Sequence, residues 1–207
     1  MSAFPASPRV LRGALVSVGI EQPVPAVVPF QYNPASVTRK LETTGGSGGP
    51  TANRFVGAPV ETITLDISLD ATDGHERGDP ITKEMGILPW LSALETMIYP
   101  SAARMLVNGV LAATGTIEIL PAAGNLQLLV WSWFRVVPIA VGSFSITEEA
   151  YDPQLRPIRA RVSLGLRVLS YDDLSVTHPG FSVFLAHHLA KEALAKAGLA
   201  QVIGGAQ

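Results

Sequence analysis

Five charged residues stand at spacings that invite a chemical reading: Asp66 and Asp70 in one segment, and Arg159, Arg161 and Arg167 in another. Two carboxylates suggest general acid–base work or cation binding, and both need the oxygens close together. In Glu61–Asp70, however, Ile63, Leu65, Ile67 and Leu69 alternate with Thr62, Thr64, Asp66, Ser68 and Asp70. That period of two is a strand with one apolar and one polar face. On it the two carboxylates stand about 13 Å apart at ~3.3 Å per residue, too far for one ion or a glycosidase pair. Pro157–Leu169 alternates in the same way, with Ile158, Ala160, Val162, Leu164, Leu166 and Val168 facing one side. Arg159, Arg161, Ser163, Gly165 and Arg167 face the other. Opposite charges across neighbouring strands contribute roughly 0.2–1 kcal/mol per pair. Two readings follow: the acidic and basic faces meet, within a barrel or across a subunit boundary, or they are unrelated faces, one wet and one lining a channel. These five residues are therefore interface candidates and not catalysts.

The remaining reactive side chains form no constellation. The four histidines are His75, His178, His187 and His188. Neighbouring residues on a helix point about 100° apart, so His187 and His188 are poorly placed to share a metal. They read as partly exposed helix histidines, and His75 as a loop residue. The absence of cysteine excludes disulfides, thiolate zinc sites and a thiol nucleophile. The glycine-rich run Thr43–Pro50 has no following Lys-Ser/Thr to make a phosphate loop, and no Gly-x-Ser-x-Gly elbow occurs. Trp131, Trp133 and Phe134 suggest a stacking platform, but they end an apolar run and read better as core or subunit contacts. No catalytic residue, metal site or cofactor is expected.

Composition points toward assembly. Charged residues make up 15% of the 207 residues and apolar ones 47%, against about 25% charged in an ordinary soluble domain. A surface so poor in charge is expected to be covered by partners, the alternative being a monomer with a Ser/Thr-rich surface. Eleven of the 15 cations are arginine, the cation suited to interface pairs. A net charge of −2 gives no basic excess for nucleic acid or anionic lipid. Met1–Pro8 lacks the pattern of a secretory signal. Leu126–Gly142 carries Gln127, Arg135 and Pro138, and falls short of the roughly 20 apolar residues that span a bilayer. A soluble protein is expected.

The elements that would hold these residues are mostly strands. Val10–Val18, Val27–Tyr32 (closed by Asn33-Pro34), Ser36–Glu42, Glu61–Asp70, Thr116–Leu120, Leu126–Trp133, part of Arg135–Thr147, and Pro157–Leu169 all read as extended. Ala71–Asp79 and Ser101–Gly115 read as loops. Asp79-Pro80 opens a helix running to Ile98 that Pro89 should kink or split. Pro179–Ala200 reads as a C-terminal helix, with Phe181, Phe184, Leu185, His188 and Leu189 at helical spacing. The fold class expected is α+β, mainly antiparallel β: a barrel or two-sheet sandwich with one inserted helix and a C-terminal helix. Residues 1–172 would form the β domain and 173–207 a helical extension.

Three segments, taken in order, resemble a known family. Phe30-Gln31-Tyr32-Asn33-Pro34 is similar to the Phe-x-Tyr/Phe-Asn-Pro element of contractile injection system baseplate proteins with a tube-type domain. Glu61-Thr62-Ile63-Thr64-Leu65-Asp66 is similar to their Glu-Thr-Leu-Thr-Leu-Asp strand. Leu128–Trp131, Ser143–Thr147 and Pro157–Val162 are similar to an apolar strand ending in Trp, a strand, and a Pro-x-Arg-Ala arm. The chain departs from the family in having Trp131-Ser132 where Trp-Gly is common, and in ending in a helix where many members carry a LysM module. The resemblance implies a tube-type β-barrel or sandwich repeated six-fold, joining the inner tube to the trimeric spike hub. Sheath-initiator or wedge proteins would be further partners, with nucleic acid and membrane excluded. It implies residence in the bacterial cytoplasm during assembly, then within the particle, cytoplasmic or released. Gly45–Gly57 and Ser101–Gly115 would be adaptable contact loops. The alternatives are an inner tube or tube-initiator subunit and, from another class, a ligand-binding β-barrel with Trp131 and Trp133 in its pocket.

Overall fold

Alternating Val/Ile/Leu and Thr/Ser/Arg residues favour extended chain, because branched side chains pack well on a pleated surface and leave the polar ones to water. The computed structural model describes residues 11–19, 25–43, 57–100, 102–113, 115 and 124–204. Within them the strands are β1 (Ala14–Val18), β2 (Ala26–Pro29), β3 (Val37–Glu42), β4 (Val60–Asp70), β5 (Leu126–Ser132), β6 (Arg135–Tyr151) and β7 (Pro157–Val168). All pair antiparallel in one sheet of order β2-β1-β5-β6-β7-β4-β3. The sheet is not closed among the described residues: β2 and β3 are its two ends. The strand expected at Thr116–Leu120, the residues before Leu11 and most of the glycine-rich loop lie outside the described residues.

The sheet is staggered through β6. Its first residues, Arg135–Ile139, pair with β5, whereas Ile139–Tyr151 pair with β7. β6 therefore joins two leaves, β2-β1-β5 on one side and β7-β4-β3 on the other. Register shifts at Val141/Ser143 and near Ala150 bend it, as bulges do.

Among the described residues five helices accompany the sheet: α1 (Thr72–Arg77), α2 (Pro80–Met85), α3 (Leu88–Glu95), α4 (Ala102–Ala113) and α5 (Pro179–Gly204). The helix expected from Asp79 is split into α2 and α3. Asp79 caps α2 by accepting from the Thr82 N–H at 3.1 Å, and Pro80 occupies a first-turn position where no N–H is needed. Gly86 stops it at φ +60°, and a Cβ there would collide with the Pro157 carbonyl. Pro89 then falls in the first turn of α3, where it does no damage. Two expected loops are in fact helical. α1 is a single short stretch ended by Gly78 at φ +74°. Ser101–Gly115 contains α4, because its run of Ala, Met and Leu carries strong helix propensity that one internal glycine does not cancel.

The core lies on one face of the sheet. Ile63, Leu65, Ile67 and Leu69 of β4 and Ala160, Val162, Leu164, Leu166 and Val168 of β7 are all at most 3% exposed. They pack with Leu15, Phe30, Leu129, Val137 and Ile139, beneath Ile87, Leu91 and Leu94 at α3 and Phe184 of α5. Burying each large apolar side chain is worth ~1.5–3 kcal/mol, so β4 and β7 anchor the domain.

Candidate functional site

The β4–β7 register places the acidic and basic residues side by side within one sheet. Asp70 stands opposite Arg159, Ser68 opposite Arg161, Asp66 opposite Ser163, and Thr62 opposite Arg167. Of the possible Asp–Arg pairs across these strands, one ion pair forms: the Arg159 guanidinium lies 2.8 Å from the Asp70 carboxylate. Burial opposes ionisation of Asp70. Hydrogen bonds from Thr72 and the charge of Arg159 outweigh it, so the carboxyl sits below its ordinary range. The Gln31 side chain also bonds Asp70's backbone, donating to its carbonyl at 2.6 Å and accepting from its N–H at 2.9 Å. A side-chain amide thus replaces a missing strand neighbour at this edge of β4.

The other candidates find different partners. Asp66 accepts from the Ser163 hydroxyl at 2.7 Å. Arg161 reaches Glu149 of β6 at 3.7 Å, and Arg167 pairs with Asp173 beyond the end of β7. A cleft of about 320 Å³ opens beside this face, lined by Tyr32, Asn33, Pro34, Ala35, Ser36, Asp66, Ser68 and Arg161. It forms because β3 pairs with β4 only up to Leu65, so the chain before β3 diverges from Asp66 and Ser68.

The two tryptophans do not share a site. Trp131 is half-buried and packs on Phe30, with ring centroids 6.3 Å apart. Trp133 and Phe134 form the two-residue connection between β5 and β6, and are 86% and 64% exposed. Neither tryptophan lines the cleft.

A second constellation was missed by the sequence reading. Glu61 falls on the apolar face of β4, in phase with Ile63, and is 5% exposed. It is held by Arg39 of β3 at 2.6 Å and by Lys191 of α5 at 3.1 Å. Burial pushes its carboxyl up, but the two cations together prevail and hold it below the ordinary value. One helical turn before Lys191, His187 is buried at 7% exposure, with Nδ1 3.2 Å from the Phe134 carbonyl and Nε2 without a partner among the described residues. Burial pushes the imidazole pKa down, and the nearby Lys191 adds to that.

These contacts dock α5 on its own sheet. The stripe that does so is Gly180, Phe184, His187 and Lys191, not the expected Leu185, His188 and Leu189, which are exposed. His187 is likewise buried rather than partly exposed. One signal was present in the sequence: Glu61 is the charged residue in the apolar phase of an otherwise clean alternation, so it needed cationic partners.

Chemically, these groups neutralise and position one another. Among the described residues, no group of three His, Cys, Asp or Glu side chains is placed to hold a metal ion. No helix among them is long and apolar enough to cross a membrane. No protein-family model and no curated protein matches the chain.

Proposed function

We propose that the protein is a structural ring subunit of a contractile injection particle, placed in the baseplate between the inner tube and the spike hub. The observation that carries this reading is the pair of open edges on the leaf β6-β7-β4-β3. No described strand pairs with the outer edge of β3, nor with β6 from Gly142 to Tyr151 on the side away from β7. Unpaired edges are templates for further pairing. The leaf has an even number of alternating strands, so the β3 edge of one copy and the β6 edge of the next run antiparallel. Such head-to-tail pairing repeats without breaking the alternation, and closes into a ring when the rotation permits. Barrel closure, in this reading, belongs to the ring and not to the single chain.

The exposed apolar residues fit the same reading. Met105, Leu106, Val107 and Val110 of α4, Trp133 and Phe134 at the hairpin tip, and Leu194 and Leu199 of α5 are all more than half exposed. They would serve contacts with the tube, the hub and the wedge or sheath-initiator proteins. The polar β4–β7 face, with Arg161 and Arg167, would line the lumen. No catalysis is required of such a ring.

The test is the mass of the purified protein in solution, alone and with a spike-hub protein from the same operon. A six-membered ring, alone or with that partner, is expected. Ser145→Lys combined with Thr147→Lys, on the exposed part of β6, should abolish it while leaving the circular dichroism unchanged. Stacking into open-ended tubes would shift the assignment to an inner tube or tube-initiator subunit. A strict monomer that ignores the hub protein would overturn the reading.

A further inference from the structure

Independently of any assembly, we infer that His187 is an acid-sensitive latch: its protonation at Nε2 releases α5 from the sheet. A carbonyl only accepts, so the contact with the Phe134 carbonyl requires the proton on Nδ1. In the docked state Nε2 therefore carries the lone pair, buried and without a hydrogen-bond donor among the described residues. Adding a proton there creates a buried donor with no acceptor and a charge with no free counter-ion.

The surroundings make that charge costly. Lys191 lies one turn along α5, and Arg39 projects from β3. Glu61 of β4 is the anion facing this pocket, and both cations already engage it. Protonated His187 would raise the local charge from +1 to +2. The exposed neighbour His188 lies 3.3 Å from the Glu192 carboxylate, and both side chains are about half exposed. At the start of α5, a second histidine, His178, accepts at Nδ1 from the Gly180 N–H at 3.0 Å. That second histidine has to be separated from the first.

The sign follows from linkage. The docked state holds His187 below its ordinary 6.5, so the undocked state binds the proton more readily. Docking is then at full strength above about pH 6.5 and weakens as pH falls from there to the docked pKa. The loss is roughly tenfold in the docking equilibrium for each unit of depression. Helix α5 is suited to such release because its second half, Glu192–Gln201, is already exposed along its whole length.

The experiment is amide hydrogen exchange on the full chain at about pH 7.5 and about pH 5.5, corrected for intrinsic rates. The α5 amides from Val183 to Lys191 should lose protection in acid, by up to about tenfold, whereas those of β4 should keep theirs. His187→Gln, which can still donate to the Phe134 carbonyl without titrating, should abolish the loss. His178→Asn, which keeps a capping side chain, should not. Protection of α5 that is unchanged by acid, or an equal loss in His187→Gln, overturns the latch. Should that variant misfold, the wild-type His187 ring titration by NMR decides: a midpoint at or above the ordinary value also overturns it.

Discussion

Replacing Glu61 with Gln removes one charge and almost no volume from the junction of β3, β4 and α5. Arg39 and Lys191 then face each other across a neutral amide, with the anion that held them at 2.6 and 3.1 Å gone. Breaking a buried ion pair by removing one partner costs ~3–5 kcal/mol. Here the Arg39 and Lys191 side chains keep 28% and 38% of their exposure, so water relieves part of the penalty and the expected loss is about 2 kcal/mol. With a urea dependence of ~2 kcal/mol per molar, the unfolding midpoint should fall by about 1 M. Because the Glu61 carboxyl is held below 4.5 in the fold, its contribution is complete above that value and fades as pH falls through the folded pKa. The gap between wild type and variant should therefore narrow in acid. A double-mutant cycle with Lys191→Met isolates the bridge to α5, with an expected coupling of ~0.5–3 kcal/mol. A midpoint shift corresponding to less than about 0.5 kcal/mol at neutral pH, or a gap that ignores acid, would refute the idea that this trio anchors the helix.

Two more substitutions probe the framework. Gly86→Ala forces a side chain into φ +60° and against the Pro157 carbonyl, and should cost more than about 1 kcal/mol in a thermal or urea melt; a neutral result would show that the α2–α3 junction relaxes freely. Arg161→Glu sets two carboxylates beside one another at the exposed contact with Glu149, so its effect on monomer stability should stay within about 1 kcal/mol. Adding Glu149→Arg should restore it and Asp66→Arg should do so less, since Asp66 is bonded to Ser163; equal rescue by Asp66→Arg would show that the diagonal position across β4–β7, and not Glu149, is the main partner of residue 161.

Local periodicity carried much of the fold. The alternations in β4 and β7 announced both strands and their buried faces, because a period of two leaves a residue only two sides to choose from. Asp79, Pro80 and Pro89 likewise marked where helices begin, since a missing N–H is tolerated only in a first turn. Ser101–Gly115, expected to be a loop, holds α4 because its alanine- and leucine-rich run outweighs the internal Gly109. What the sequence could not decide was who sits beside whom. Asp70 and Arg159 lie 89 residues apart and become partners only through the β4–β7 register. Arg161 turned instead to Glu149, because β6 flanks β7 on the other side. Glu61 and Lys191 are separated by 130 residues, and nothing in either local pattern names the other. The amphipathic stripe of α5 depends on which turn meets the sheet, and tertiary packing selected His187 and Phe184 over the equally helical Leu185 and Leu189. Strand and helix identity follow from short-range sterics and solvent partition, both written in neighbouring residues. Register, edge and docking are long-range choices, made only when the whole chain closes on its core.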